Sequence, residues 1–202
     1  CIIASLMLFF SGNVKAQDCS IPMAVVVDEG FSNVTPETAS VLETQLQRLL
    51  TQSKLDVGWD NANFAITAKF DQLDRYVVGS APTQIANVYG VTVYLVDVYN
   101  QKMFGSAYTE VKGVGTNETK ASMNAVRQLN AQNSKLNSFL AGAKQKIIRY
   151  YDSQLPTLLK EARNKAAMKN YAEALAMLAV VPTCCNGYDQ AMKEALRIYV
   201  LY

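Results

Sequence analysis

The sequence predicts an α+β fold, in which a β-α-β-β-β-α sheet domain with two helices on one face precedes an all-α region. Three observations support this prediction. Apolar and polar residues alternate over residues 64–71, as in a half-buried strand. A long apolar stretch over residues 84–111 is divided by one short turn, which indicates two further strands. After residue 133 only helical periodicity remains.

The first strand and the first helix are marked by the residues at their ends. An apolar run from Pro22 closes on acids at residues 28–29, which predicts a short buried strand. Thr35 can cap a helix, and Pro36 suits its first position. One apolar stripe follows, which predicts a helix packed on a sheet: Ala39, Leu42, Leu46, Leu49 and Leu50.

The central strands are predicted to form a meander. The alternation that starts at Phe64 fails over residues 71–74, which indicates a bulge or a bend. The strand that starts at Gln84 is apolar on both faces over residues 91–99, as at the centre of a sheet. A turn at residues 100–101 leads into the last strand of the meander.

Two glycines precede the second helix that covers the sheet. We expect Gly113 and Gly115 to form a plain turn from strand to helix, with a cap supplied by residues 116–117. An anion site on the backbone amides of this turn is the alternative. Ala121 and Ala125 are small, so this helix can approach the sheet closely.

Residues 133–202 are predicted to be a helical region that is incomplete at its C-terminus. Residues 152–153 followed by Pro156 predict that one helix ends and another begins there. The final apolar-rich helix is predicted over residues 188–202.

Within this region, residues 161–182 resemble a tetratricopeptide-type helical hairpin. Small residues stand at Ala162 and Ala174, and Lys169 takes the place where the turn glycine is usual. The resemblance implies a helical surface that binds another protein.

Residues 1–16 are predicted to be a secretory signal peptide that is truncated at its start. The apolar run over residues 2–10 is shorter than the roughly 20 residues that span a bilayer. Val14 and Ala16 are the small residues before a predicted cleavage, which leaves residues 17–132 as an exported α/β domain. A buried N-terminal strand or helix is the alternative.

Three cysteines remain in the predicted mature chain: Cys19, Cys184 and Cys185. A bridge from Cys19 to either of the adjacent pair, a vicinal bridge, and small buried thiols all stay open, the last being favoured. Asp18 precedes Cys19, which argues against a lipoprotein signal.

The composition excludes most catalytic constellations and a nucleic-acid partner. The chain has no histidine, and its formal net charge is only +2. Paired carboxylates are the remaining route to catalysis, and the candidates are Asp28, Asp71, Asp74 and Asp97. A strand-end acid that reaches water or caps a neighbour is the favoured interpretation of Asp97. We predict no catalytic, cofactor-binding or metal-binding residue.

Tyrosine is abundant, with eleven residues, and several lie in the predicted strands. An exposed row of them would indicate a carbohydrate or partner surface. Alternation places Tyr89 and Tyr99 on one face and Tyr94 on the other, so no single ladder is expected.

The element order and the segment from Lys112 to Leu129, with Gly-x-Gly before a helix that carries Ala121 and Ala125, resemble a group of bacterial envelope domains. The group includes the curli secretion-channel family, the outer-membrane lipoprotein activators of penicillin-binding proteins and the N-terminal domain of the Tol-system propeller protein. The resemblance covers residues 22–130. It implies a module of the periplasm or outer membrane that acts through protein contacts.

The leading hypothesis is therefore a non-enzymatic periplasmic or outer-membrane-associated protein. Its envelope partners would bind the helical region or the exposed sheet face, and peripheral membrane association is compatible with this. The alternatives are a carboxylate-dependent hydrolase of envelope glycans and a small-ligand-binding protein that uses the open sheet face. No cofactor is expected, and the oligomeric state is left open.

Overall fold

The computed structural model describes residues 21–58, 62–79, 82–130 and 132–202, and the predicted signal peptide and Cys19 lie outside these ranges. Its centre is a five-stranded mixed sheet, which confirms the α+β class. The strands are β1 (Pro22–Val25), β2 (Asp56–Val57), β3 (Phe64–Val78), β4 (Gln84–Asp97) and β5 (Lys102–Gly115). Their order in the sheet is β2-β1-β3-β4-β5. β1 pairs in parallel with β2 and β3, and β3, β4 and β5 form the predicted antiparallel meander.

Helices cover one face of this sheet and then continue as a helical region. They are α1 (Glu29–Ser32), α2 (Pro36–Gln52), α3 (Glu118–Val126), α4 (Ser134–Ala167), α5 (Tyr171–Ala179) and α6 (Tyr188–Tyr199). The element order agrees with the prediction, to which the structure adds two short elements, α1 and β2. Both have four residues or fewer, which is too short for a periodic sequence signal.

The α2 helix packs on the sheet through the stripe that the sequence predicts. Leu42, Leu46, Leu49 and Leu50 are fully buried. Thr35 stands at the cap position but makes no side-chain bond to the helix backbone. Its hydroxyl instead lies 3.1 Å from that of Thr38.

The predicted irregularity in β3 is a β-bulge. The register with β4 shifts between Gln72 and Asp74. From Asp71 to Val78 every residue of β3 is exposed, whereas most of the strand before it is buried. The second half of β3 is thus exposed, whereas the part of β4 that pairs with it still carries the buried residues Ala86 and Asn87.

The two glycines before α3 belong to β5 and do not form a turn, which corrects the sequence prediction. A Cβ on Gly113 would collide with the backbone of Ala121 and Ala125, and one on Gly115 would collide with the backbone of Ala121. Their role is therefore close helix–sheet packing. The helix starts after Asn117, whose side chain accepts a hydrogen bond from the Lys120 amide at 2.8 Å.

Side chains from the α3 segment also bond to the outer edge of β5. The Gln128 amide side chain accepts from the Lys112 N–H and donates to the Lys112 carbonyl. Asn124 Nδ2 donates to the Val114 carbonyl at 2.8 Å. Backbone groups at the end of this edge strand are thereby satisfied.

The α4 helix runs without a break through Pro156, so the predicted restart near residue 152 is wrong. A proline inside a helix costs about 3 kcal/mol because one backbone hydrogen bond is lost. The buried stripe continues on both sides of it, with Leu155 and Leu159 in contact with the core, and this burial offsets the cost.

The helices α4, α5 and α6 pack against one another, and their apolar core is continuous with that of the sheet. The turn between α4 and α5 places Lys169 in the left-handed region, with φ of 63°, at the position where a glycine is usual. Division of the chain at residue 132 stays a prediction, as does the tetratricopeptide resemblance. In the described part of the chain, no helix is both long and apolar enough to cross a membrane.

Candidate functional site

The sheet has one face covered by helices and one face that the described helices leave largely open. Residues paired across antiparallel strands share a face. Phe64, Ile66 and Phe70 of β3 point to the covered face and are buried. The opposite face carries large apolar and aromatic residues, and six of them form what we call the open sheet face: Tyr76, Val78, Val88, Tyr94, Tyr108 and Val114.

Cross-strand register assembles this surface. Ala86 pairs with Tyr76 on one side and with Val114 on the other, so the three lie in one row across the sheet. The Tyr108 ring leans over Gly90, where a Cβ would lie 2.9 Å from a ring carbon. Glycine at this position therefore allows the ring to approach β4 closely.

The aromatic rings of the open sheet face are both exposed and held by neighbours. Tyr76 and Tyr108 are 44% and 48% exposed. Tyr94 makes an edge contact with Phe31 of α1, with ring centroids 5.9 Å apart. Exposed rings in fixed positions are the usual anchors of protein interfaces.

Charges of both signs surround these rings. Lys69 and Asp71 form an ion pair at 3.6 Å, and the Lys112 ammonium lies 5.7 Å from the centre of the Tyr76 ring. Tyr108 Oη donates to Glu110 at 3.1 Å.

The same surroundings keep both phenols protonated. A hydrogen bond to Asp74 raises the pKa of Tyr76. Desolvation, followed by the hydrogen bond to Glu110, raises the pKa of Tyr108. Both phenols therefore remain neutral hydrogen-bond donors to a higher pH than an ordinary tyrosine.

The sequence analysis named an exposed sheet face but not the residues that form it, because alternation within one strand does not give the register between strands. Tyr89 and Tyr94 do lie on opposite faces, as predicted, and Tyr89 is on the covered face. Tyr99 follows the end of β4 and is exposed. The aromatic set arises because β3, β4 and β5 each contribute one tyrosine to the same face.

Asp97, the most unusual of the four candidate acids, has a structural role. It is fully buried at the end of β4. Its carboxylate accepts hydrogen bonds from the Asn100 backbone and side chain, each at 2.8 Å, and from Tyr151 Oη at 2.9 Å. Burial and the bond to Asp97 raise the Tyr151 pKa, so this phenol stays protonated. Asp97 thus caps the β4–β5 turn and ties it to α4.

The other three acids are exposed and lie elsewhere. Asp28 caps α1 by accepting from the Phe31 amide at 2.7 Å, and Asp71 pairs with Lys69. Asp71 and Asp74 flank the β3 bulge, opposite Gly90 and Val88 of β4 respectively. Asp97 is seven residues from Gly90 along β4, about 23 Å at the rise of a strand. The structure therefore does not bring Asp97 together with Asp71 or Asp74 across a cleft.

The two adjacent cysteines in the α5–α6 connection have different states. Cys184 is disulfide-bonded, whereas Cys185 is a buried free thiol, so the vicinal bridge is not formed. In the described ranges, no group of three or more His, Cys, Asp or Glu residues could hold a metal ion.

The comparisons with known proteins do not show which family the chain belongs to. No protein-family model matches it, and no curated protein sequence does. A minor lipoprotein from Acinetobacter baumannii is similar over 63% of this chain and 88% of its own, with 16% identity and a TM-score of 0.33. A PelC variant dodecamer from Paraburkholderia phytofirmans is similar over 63% of this chain and 88% of its own, with 17% identity and a TM-score of 0.36.

A third solved structure, a DUF330 protein from Xanthomonas campestris, is similar over 70% of this chain and 93% of its own. Its identity is 16% and its TM-score 0.37. Likenesses at these scores assign no function. The class of protein that the fold and the surface define is an α+β protein with a helix-covered sheet and one open aromatic face.

Proposed function

We propose that this protein is an exported, non-enzymatic interaction module of the bacterial cell envelope, which binds a partner protein through the open sheet face. The observation that carries the proposal is the set of exposed aromatic rings along one face of three adjacent strands, with Tyr76 opposite Ala86 of β4 and Tyr108 opposite Thr92, about 20 Å further along that strand. Tyrosine anchors offer a large apolar area at a low cost in side-chain entropy, and they dominate many interfaces.

The chemistry of the rim favours a protein over a polyanion or an anionic lipid surface. Lys69 and Lys112 alternate with Asp71, Asp74 and Glu110 around the rings. A nucleic acid or an anionic membrane would select one sign of charge, whereas a protein partner can pair with both. The exposure of β3 from Asp71 to Val78 also leaves this end of the face accessible.

Two features support an exported location. The apolar run with small residues before position 17 fits a secretory signal. The disulfide at Cys184 fits an oxidising compartment, because structural disulfides are rare in the cytosol of most organisms.

The test compares three forms of the intact protein as bait for an envelope extract: wild type, Tyr76→Ala/Tyr108→Ala and Tyr199→Ala. Tyr199 lies on α6 and is 66% exposed, so its variant probes the helical region with the same chemical change. We expect wild type and Tyr199→Ala to capture a protein from the extract that the double variant does not capture. That protein, once purified, should bind wild type at least about tenfold more tightly than the double variant.

Two results would contradict the proposal. Loss of binding in Tyr199→Ala alone would assign the contact to the helical region. A wild-type dimer in sedimentation analysis that the double variant dissociates would make the partner a second copy of this chain. In each case the open sheet face would not be the surface that binds another envelope protein.

A further inference from the structure

A polar cavity of about 240 Å³ lies on the covered side of the sheet, between the starts of α2 and α3. Its mouth is formed by exposed residues, among them Thr35, Gln72 and Glu118. Its floor is formed by residues that are almost completely buried, of which Asn87 and Phe70 belong to neighbouring strands. The cavity is separate from the open sheet face, which lies on the other side of the sheet.

Asn87, one of the residues that line this cavity, carries an unsatisfied polar group. The residue is only 1% exposed, and its Nδ2 donates to Tyr89 Oη at 3.1 Å. Its Oδ1 is buried and has no hydrogen-bond partner in the described structure. A buried carbonyl oxygen without a donor is unfavourable, and a bound hydroxyl group would satisfy it.

Hydroxyl groups line the cavity next to Asn87. Tyr89 Oη and Ser122 Oγ are 2.5 Å apart, and either can be the donor. On the α2 side, the hydroxyls of Thr35 and Thr38 form a similar pair at 3.1 Å, and Thr38 is 1% exposed. Groups that both donate and accept hydrogen bonds suit a ligand that does the same.

The charge of the cavity disfavours an anion. None of the described residues that line it is Lys or Arg. The one acid among these residues, Glu118, is already paired with Arg75 at 2.8 Å. Phe70 adds an apolar surface to the floor, on which the C–H groups of a ring can pack.

We propose that this cavity binds a neutral, hydroxyl-rich ligand of about one sugar ring. A ligand hydroxyl donates to Asn87 Oδ1 once this side chain turns toward the cavity, and others exchange hydrogen bonds with the Tyr89–Ser122 and Thr35–Thr38 pairs. The ring packs against Phe70. The ligand is either a free monosaccharide or the end unit of a glycan, because both present the same chemical groups to the site.

The test is a titration of the intact, isotopically labelled protein followed by amide NMR. The probes are glucose, N-acetylglucosamine, the β-1,4-linked trimer of N-acetylglucosamine, and glucuronate as the charged counterpart of glucose. We expect saturable shifts of the Asn87 side-chain amide and of the Tyr89 and Ser122 backbone amides with a neutral probe. If the trimer binds more tightly than N-acetylglucosamine itself, the ligand is the end of a glycan. If the two bind equally, the ligand is a free sugar.

Two serine variants supply the matched comparison. Ser122→Ala removes one hydroxyl from the cavity, and Ser106→Ala removes one from the opposite face of the sheet. We expect Ser122→Ala to weaken binding about fivefold, as for the loss of one hydrogen bond, and Ser106→Ala to leave it unchanged. Spectra of both variants away from the substitution report whether they fold.

Three outcomes would overturn the proposal. They are the absence of a saturable shift with every neutral probe at tens of millimolar, binding of glucuronate more tightly than glucose, and equal affinities in wild type and Ser122→Ala. None of them bears on the open sheet face, whose binding is measured with tyrosine variants.

Discussion

At the scale of the residue, the Cys185 thiol is held in a protonated state by its surroundings. It is 6% exposed, and its Sγ lies 3.8 Å from the Ile148 carbonyl oxygen. Burial raises the pKa of this thiol to about 12, and the carboxylate of Asp152 adds to the rise. Because the thiolate is the reactive form, the group is chemically protected although it stands next to a disulfide.

We therefore predict that Cys185 is not alkylated by iodoacetamide in the native protein at mildly alkaline pH. In urea its pKa should return to about 8.5, and alkylation should become rapid. Peptide mapping by mass spectrometry after a short pulse measures the difference at this residue. Equal labelling in buffer and in urea would show that the thiol is accessible and ionised in the folded state.

The second residue with an unusual charge environment is Glu194 of α6. It is buried, accepts from Arg163 of α4 at 2.8 Å and pairs with Arg197 at 2.6 Å. The hydrogen bond from Arg163 is the main cause that lowers the Glu194 pKa. The arginines are about half exposed, so the gain in stability is modest.

We predict that Glu194→Gln lowers the free energy of unfolding by about 1 kcal/mol at neutral pH. A lowered pKa in the folded state means that the stabilisation is complete above the unfolded value, about 4.3, and is lost as the pH falls through the folded value. Urea unfolding at neutral and at acidic pH tests this. The difference between wild type and variant should shrink in acid.

Glu173→Gln is the matched control, because Glu173 pairs with Lys165 at 2.7 Å while about half exposed. Its effect should be smaller at every pH. A Glu194→Gln effect that does not depend on pH would mean that the side chain contributes by packing and not by charge.

At the scale of the element, the packing of α3 on β5 depends on the absence of a side chain at Gly113. We predict that Gly113→Ala lowers the free energy of unfolding by about 3 kcal/mol, since the helix backbone must move away from the strand. Gly142 of α4 is the control, because a Cβ there meets nothing within 4 Å. Gly142→Ala should raise stability by up to about 1 kcal/mol, in line with helix propensity. Similar effects of the two substitutions in urea unfolding would argue against close packing at Gly113.

The elements also show what sequence periodicity can and cannot predict. The stripe of α2 and the bulge of β3 follow from patterns within a single element, and both are found. Pro156 misled the prediction because a local rule for helix interiors was applied without the tertiary packing that surrounds α4. The two glycines of β5 were assigned to a turn because the sequence does not show how closely α3 approaches.

At the scale of the whole molecule, the Cys184 disulfide is expected to stabilise the packing of the α5–α6 connection. We predict that Cys184→Ser lowers the free energy of unfolding by about 2–4 kcal/mol, the range for loss of a native disulfide. A reductant should lower the stability of wild type to that of the variant, and it should leave the variant unchanged. Thermal unfolding with and without reductant measures both effects. A wild type that is insensitive to reductant after verified reduction would remove the stabilising role.

Function was harder to predict than fold for a physical reason. The sheet and its helical cover follow from hydrophobic periodicity, which a sequence displays directly. The open sheet face and the cavity at Asn87 are formed by residues far apart in the chain, and only the register of β3, β4 and β5 brings them together. Asn87 and Tyr76 carry no local signal that distinguishes them from other strand residues.

The bonds that Gln128 and Asn124 make to the end of β5 restrict how another chain can approach the molecule. An unprotected edge strand invites strand addition, in which a foreign segment extends the sheet through main-chain hydrogen bonds. Here a strand added at Lys112 and Val114 would first have to displace the side chains that already form hydrogen bonds with those backbone groups. Strand addition along the end of β5 is therefore disfavoured, which leaves the side chains on the sheet surface as the groups that a partner can contact there.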